Sequence, residues 1–309
     1  MSLTLVEASK LYAGDPLRSA IIELYAKSSD ILRVLPFQNI NGSALRYNIE
    51  QTLPGIGFRG INEAYSESTG VLNPVTEPLV IAGGDLDVDK FLIETMGNSQ
   101  RAVHEKMKIK ALALAWTKTF IKGDQSSDPK EFDGLQTRIT GSQLIAAGST
   151  ANGDALKLSK MDEALDACEG ATHIAMSKAM RRKFSVAART STVAGDLQWE
   201  KDEFGEQVAY YNGLPIIIID EDNTGTQILG FNEACPGGGT DTGTSIYILS
   251  LGDGKLTGIQ KGNTEVRDLG ELQTKSALRT RVEWFNGIAV FHPKAAVRLY
   301  GISDAAITA

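Results

Sequence analysis

Hydrophobic and polar positions alternate early in the chain and predict a long projecting hairpin. Leu45, Tyr47 and Ile49 are separated by polar residues, which is the period-two pattern of a strand. The apolar run at 78–82 predicts the return strand. Glycines and prolines break up the residues between them, namely Pro54, Gly55, Gly57, Gly60, Gly70 and Pro74.

This stretch also carries large apolar side chains that prefer to be covered: Phe58, Ile61, Tyr65, Val71 and Leu72. A polar loop of this length cannot bury them itself, and such loops are uncommon in compact domains unless they are functional. We therefore expect another molecule to cover them, which indicates an assembly protein.

Residues 99–122 show the longest helical pattern, about 36 Å long at 1.5 Å per residue. Its apolar residues recur at helical spacing and are expected to face inward, namely Val103, Met107, Ala111, Leu114 and Ile121. Shorter helices are predicted at 158–170 and 177–184. A further helix is predicted after Asp15-Pro16, a pair typical of helix starts.

Strands are predicted at 173–176, 214–219, 245–251 and 256–259. The run at 214–219 is apolar throughout, which suits a strand buried on both faces. The Asn286-Gly287 pair makes 279–291 either a hairpin or one bent strand. Gly83-Gly84 predicts a bulge or turn, and 195–206 a charged loop. Because the elements follow no regular order, the predicted fold class is α+β.

Composition narrows the possible functions of this 309-residue chain, which allows one large domain or two ordinary ones. The net charge of −7 argues against a surface that grips nucleic acid everywhere. Cys168 and Cys235 lie far apart without metal-ligand spacing and are expected to be free thiols. No secretory signal is seen, and no run approaches the ~18 apolar residues of a membrane span, so no membrane partner is expected.

The motifs of catalysis and of metal or cofactor binding are not found. In the turn Gly252–Lys255, a leucine follows the lysine where a phosphate loop needs a hydroxyl residue, which favours a plain hairpin turn. No histidine pairs with a cysteine or an acidic residue at ligand spacing, and a nucleophilic triad would need one of the three: His104, His173 and His292. We predict no catalytic, metal or cofactor residue and no enzyme.

Two groups of charged residues each allow two interpretations, a solvated surface or a binding site. Asp85, Asp87 and Asp89 alternate, so they form either a solvated strand edge or a site for a hard cation. Two basic clusters form either solvated helix faces or contacts to phosphate or an acidic partner. The clusters are Lys106, Lys108, Lys110, Lys118 and Lys122 on the long helix, and Lys178, Arg181, Arg182 and Lys183 on a later one.

The order of these elements resembles the major capsid proteins of tailed bacteriophages, which have the Hong Kong 97-type fold. An N-terminal stretch precedes a long flap and a long helix. Then come "FIKGD" with "EFDGL", "GLPIII" before a buried strand, and the closing "RTRVEWFNGIAVFHPKAAVRLYGI". No single motif is specific, and the resemblance lies in their order over essentially the whole chain.

The resemblance implies a division of the chain. Residues 1–35 correspond to the N-arm, 45–80 to the E-loop and 155–278 to the axial (A) domain. The peripheral (P) domain takes 36–44, 81–154 and 279–309, with the long helix as its spine.

The resemblance also implies three sets of assembly residues. The E-loop contributes Phe58, Arg59, Ile61, Glu63, Tyr65 and Glu67. The spine helix contributes Lys106, Lys108 and Lys110, which are expected to meet acidic loop residues of another subunit. A loop near the symmetry axes contributes Asp196, Trp199, Lys201 and Asp202.

The function implied is a capsid subunit that self-assembles into hexamers and pentamers of an icosahedral shell around double-stranded DNA. The alternative is the shell of an encapsulin-type bacterial nanocompartment, which shares the fold. Implied partners are further copies of the chain, a separate scaffolding protein, a portal, a possible decoration protein and weakly held DNA. The implied location is the virion capsid, assembled in the host bacterial cytoplasm. The E-loop lacks lysine between Lys27 and Lys90, so the lysine–asparagine crosslink of some members is not expected from it.

Overall fold

The computed structural model describes residues 3–4, 29–96, 99–148, 150, 152–189, 197–201, 207–235 and 242–308. The predicted helix after Asp15-Pro16 and most of the N-arm lie outside these residues. The helices are α1 Asp30–Val34, α2 Lys90–Met96, α3 Ser99–Lys122, α4 Leu135–Arg138, α5 Leu158–Ala167 and α6 Lys178–Arg189. Single 3₁₀ turns lie at Gly141–Gln143 and Pro293–Ala295.

The first eight strands are β1 Leu3–Thr4, β2 Pro36–Asn39, β3 Ala44–Thr52, β4 Val71–Pro78, β5 Val80–Asp89, β6 Leu144–Ala146, β7 His173–Met176 and β8 Leu197–Lys201. The remaining strands are β9 Gln207–Tyr211, β10 Leu214–Ile218, β11 Glu233–Ala234, β12 Thr242–Leu249, β13 Leu256–Gln260, β14 Glu265–Glu271, β15 Ala277–Val290 and β16 Ala296–Ile302. Helices and strands alternate irregularly, so the predicted α+β class is confirmed.

The first sheet is built around β15, a single strand of 14 residues. Its order is β1-β2-β13-β15-β14. Strand β5 also pairs with β15, outside this linear order. The Asn286-Gly287 pair therefore lies within a strand and makes no hairpin. Asn286 is buried and accepts a hydrogen bond at 3.0 Å from the indole nitrogen of Trp116 on α3.

Helix α3 spans the predicted residues but turns a different face inward. Ile121 is fully buried, as predicted, whereas Val103 and Met107 are 50% and 62% exposed. The other buried apolar side chains of the helix are Ile109, Ala113, Trp116 and Phe120. The predicted inward face was therefore wrong over the first half of the helix. An aromatic cluster sets the rotation, because the Trp116 ring lies 5.8 Å from Trp284 of β15 and 5.2 Å from Phe120.

The second sheet has the order β6-β16-β12-β7-β10-β9-β8, with β11 paired to β12. Helices α5 and α6 pack on it through side chains that include Met161, Met180 and Phe184, all fully buried. The short strand β10 pairs with β7 and with β9. Its consecutive residues Ile216 and Ile217 lie on opposite faces and are both buried, as the apolar run predicts. Residues 197–201, predicted as part of a charged loop, instead form β8 and pair with β9.

Strand pairing crosses the predicted domain boundaries. Strands β13 and β14, predicted within 155–278, pair with β15 in the first sheet. Strands β6 and β16, predicted within the P-domain segments, lie in the second sheet. The predicted segments and the sheets therefore do not coincide, because local pattern does not reveal which distant strand supplies a hydrogen-bonding partner. The division into P and A domains itself stays a prediction.

The Gly83-Gly84 pair forms neither a bulge nor a turn, contrary to the prediction. The pairing of β5 with β15 runs without a register shift through both residues. A Cβ atom added at Gly83 would lie 2.3 Å from the carbonyl oxygen of Val282, so glycine here permits close approach of two strands. Within the described part of the chain, no helix combines the length and apolar character needed to cross a bilayer.

Candidate assembly surface

The predicted hairpin is present, but its return strand is β4 Val71–Pro78. The run at 78–82, which was predicted as the return strand, instead leads into β5, which pairs with β15. Strands β3 and β4 pair antiparallel with each other, with Tyr47 opposite Val75 and Leu45 opposite Glu77. Among the described strands they form a separate two-stranded sheet. We call residues 53–70 the hairpin tip.

Every residue of the hairpin tip is exposed in the single chain. Phe58 is 104% exposed and Ile61 is 95% exposed, and Ile56, Leu53 and Tyr65 are also uncovered. Soluble monomers seldom display contiguous apolar patches without a binding role. The hairpin tip therefore has the chemistry of a contact surface.

Short-range hydrogen bonds hold the tip in one shape. A Glu63 carboxylate oxygen accepts from the Gly60 amide at 2.8 Å, and Arg59 donates to the Glu63 carbonyl at 3.1 Å. The Arg59 guanidinium lies 5.1 Å from the centre of the Tyr65 ring, within cation–π range. Glu63 thus has a structural role inside the loop in addition to its predicted contact role, whereas Glu67 is simply exposed.

The predicted spine-helix lysines form a second exposed feature, which we call the lysine face: Lys106, Lys108 and Lys110. Lys106 and Lys110 are exposed and Lys108 is half-buried beside Gly84. Among the described residues none of the three has a carboxylate within ion-pair distance, although many other lysines and arginines do. Exposed Val103 and Met107 lie on the same part of α3. Among the described residues, the lysine face makes no ion pair with the hairpin tip of its own chain. The predicted pairing of these lysines with acidic loop residues concerns a second subunit and stays a prediction.

The predicted symmetry-axis loop is only partly described. Trp199 lies on β8, is 44% exposed, and faces the Arg181 guanidinium at 5.8 Å. Lys201 ends the same strand. Asp196 and Asp202 lie outside the described residues.

The second basic cluster is largely engaged within the chain. Lys178 pairs with Asp220, and Lys183 pairs with Asp304 at 2.5 Å. The cluster is therefore more than a solvated helix face, because two of its four cations form ion pairs within the chain.

The acidic row on β5 faces arginines of the neighbouring strand. Arg281 donates to Asp85 and Arg279 to Asp87, each at 2.6 Å through Nε. These hydrogen bonds lower the pKa of both carboxyl groups. No cluster of three or more metal-ligating side chains is found among the described residues. The arginines pair with Asp85 and Asp87, whereas Asp89 accepts a hydrogen bond from the Phe91 amide at 2.8 Å.

The histidines and cysteines occupy structural positions. His173 is hydrogen-bonded to Thr172 at 2.9 Å, and burial lowers its pKa to about 4. His292 caps a 3₁₀ turn by accepting from the Lys294 amide. Cys168 and Cys235 are buried free thiols, as predicted, and burial raises the pKa of Cys168 to about 11.

Sequence reasoning missed the contact that holds the hairpin root, which is the end of the β3–β4 pair where Ala44 lies opposite Pro78. Glu77 of β4 is only 6% exposed and forms a two-fold ion pair with Arg138 of α4. Glu77 lies in a polar stretch and Arg138 ends a four-residue helix, so neither carries a local signal.

A projecting hairpin, a long helix packed against a β-sheet and a second helix-covered sheet make up the fold of this chain. Three solved structures share this fold at low sequence identity. The holo-SrpI encapsulin complex from Synechococcus elongatus PCC 7942 matches with a TM-score of 0.63 and 15% identity, covering 90% of this chain and 89% of that one. A native GTA particle capsid matches at 0.61 and 14%, covering 89% and 91%. Mycobacterium phage Bobi matches at 0.58 and 12%, covering 88% and 90%.

Residues 14–157 match the family model described as "Major capsid protein GP7". No curated protein sequence matches the chain. The family match and the structural neighbours together confirm the resemblance to tailed-phage major capsid proteins with the Hong Kong 97-type fold. The matched family and the structural neighbours are structural capsid proteins and not enzymes.

Proposed function

We propose that this chain is the major capsid protein of a tailed phage and closes an icosahedral shell around double-stranded DNA. The carrying observation is the exposed apolar hairpin tip, which a lone subunit leaves in water and a neighbouring copy would cover. The family match over 14–157 supports a phage shell over other containers. Hexamers and pentamers of one chain would make slightly different contacts through the hairpin tip and the lysine face.

Deleting residues 52–68 tests whether the hairpin builds the shell. The strand roots and the body core stay intact, so the shortened chain should remain soluble and folded. It should form no closed particles in electron micrographs, because the tip no longer reaches a neighbour. Normal particles from the deletion would contradict the proposal.

An encapsulin-type nanocompartment remains the second candidate, because an encapsulin complex is among the structures with the same fold. Purified particles distinguish the two. A phage shell should protect long duplex DNA from nuclease when made with the rest of the phage genes, and its gene should lie beside portal and terminase genes. Particles filled with an enzyme, or a neighbouring peroxidase or ferritin-like gene, would favour the compartment.

Contact with packaged DNA should be weak. Affinity for duplex DNA depends mainly on lysines and arginines that neutralise phosphates. The chain has 31 basic against 38 acidic residues, and two of the four residues in the α6 basic cluster are paired to carboxylates of the same chain. The free subunit should bind duplex DNA weakly and lose it as salt rises. Tight, sequence-selective binding at physiological salt would overturn the shell proposal.

The remaining partners follow from the same proposal. A separate scaffolding protein would guide assembly in the host bacterial cytoplasm, a portal would occupy one vertex, and decoration proteins can bind outside. The segment with Asp196, Trp199, Lys201 and Asp202 would lie near the symmetry axes. Co-purification from infected cells, followed by mass spectrometry of proheads and virions, tests each partner.

A further inference from the structure

The projecting hairpin depends on its root for its direction. Strands β3 and β4 pair only with each other among the described strands, and residues 52–74 are exposed throughout. A two-stranded ribbon attached at one end has little rigidity of its own. Its orientation must therefore be fixed by contacts at the base.

A buried ion pair holds the β4 side of the root. Arg138 donates from Nη2 to Glu77 Oε2 at 2.6 Å and from Nη1 to Glu77 Oε1. Its Nε donates to the Asp133 carbonyl at 2.6 Å. A planar guanidinium bonded along two edges has one permitted orientation, and so does the carboxylate that it grips.

A tyrosine holds the β3 side. The Tyr47 hydroxyl lies 3.3 Å from Glu77 Oε1 and 3.0 Å from the Val290 carbonyl, and its ring packs 4.6 Å from Phe291. Burial, helped by the Glu77 charge, raises the pKa of Tyr47 to about 12, so it stays a hydroxyl. Both strands of the hairpin thus meet at one carboxylate.

Arg138 is itself fixed to the body. Helix α4 is bonded to the end of α3 through the Gly134 amide, 2.9 Å from the Gly123 carbonyl. The Thr137 hydroxyl donates to the same carbonyl at 3.0 Å. The two glycines are needed for this approach, because a Cβ added at Gly134 would lie 2.6 Å from the Gly123 nitrogen.

We propose that Arg138 is the positioning residue of the hairpin: through Glu77 it sets the angle at which the hairpin leaves the end of the long helix. This inference rests on the proposed function, because a fixed angle matters when the tip must reach another copy. In this proposal Arg138 acts through Glu77, inside its own chain. Its loss should slow assembly by widening the range of hairpin directions.

The test measures hairpin direction in the isolated subunit, before any shell forms. Spin labels on Ser66→Cys at the tip and Thr274→Cys on the body report their distance by electron resonance, and both native cysteines are buried. Arg138→Gln should at least double the width of the distance distribution and slow particle formation at least tenfold. Arg138→Lys keeps the positive charge but loses the guanidinium that bonds both carboxylate oxygens. It should therefore give an intermediate distribution width and an intermediate rate of particle formation. Arg281→Gln is the matched control, because it breaks a two-fold arginine–aspartate pair away from the root.

A narrow distribution and normal assembly in Arg138→Gln would overturn the inference. So would equal broadening in Arg281→Gln, since the effect would then be general loosening. If Arg138→Gln does not fold, Arg138→Lys decides by the same two readouts. A third outcome separates the two proposals. If Arg138→Gln broadens the distance distribution but the wild-type chain never forms shells, the proposed function is rejected and the positioning role of Arg138 is kept.

Discussion

Replacing Phe58 by alanine separates assembly from folding. The side chain is fully exposed in the single chain, so its removal should change the free energy of unfolding by less than about 0.5 kcal/mol. If a neighbour covers the ring, the lost burial is about 2 kcal/mol per contact. That loss corresponds to roughly 30-fold weaker association at each contact.

Two measurements check this expectation on the same preparation. Urea unfolding of the dissociated subunit should give the wild-type midpoint. Light scattering against protein concentration should show that Phe58→Ala needs a far higher concentration to form particles, because every subunit repeats the weakened contact. Electron microscopy confirms that the scattering comes from closed shells.

Phe120 provides the matched control, because the same chemical change falls on a fully buried side chain of α3. Phe120→Ala should lower the free energy of unfolding by about 3–5 kcal/mol. Wild-type assembly by Phe58→Ala would refute the reasoning that the tip is an interface. A large loss of subunit stability in Phe58→Ala would show that the tip packs within its own chain.

Three further predictions concern charge, pH and close packing. Reversing Glu63 and Glu67 to lysine should weaken assembly, and reversing the lysine face as well should partly restore it. Each exposed pair contributes only ~0.2–1 kcal/mol. If the double reversal does not restore assembly in a light-scattering assay, the pairing is contradicted. Burial lowers the pKa of His173 to about 4, below its unfolded value of about 6.5, so stability present above pH 6.5 should be lost as pH falls toward 4, by up to about 3 kcal/mol. His173→Gln should flatten that dependence in urea unfolding, and an unchanged slope would argue against His173 as its source. Gly258→Ala should destabilise the subunit by about 1–3 kcal/mol, since the added methyl would lie 2.4 Å from a neighbouring aromatic ring; Gly57→Ala, which meets open space, should leave the thermal midpoint unchanged.

Local pattern was enough for the features whose causes are local. The alternation at Leu45, Tyr47 and Ile49 and the glycines and prolines after it predicted the hairpin, because strand periodicity and chain breaking act over a few residues. The extent of α3 and the burial of the strand at 214–218 followed for the same reason. The exposed apolar residues of the tip were also recognisable, since a polar loop cannot cover them.

Tertiary structure decided whatever depends on a distant partner. The buried face of α3 was set by Trp116, whose partner Asn286 lies 170 residues away, and so Val103 and Met107 turned outward. Strand β13 joined the first sheet because its hydrogen-bonding register with β15 is long-range. Arg138 and Glu77 meet across 61 residues, and no helical or strand period links them. The sequence by itself determined that a hairpin projects, whereas only the folded chain determines where it points, because that angle is set by a contact between segments that have no local influence on each other.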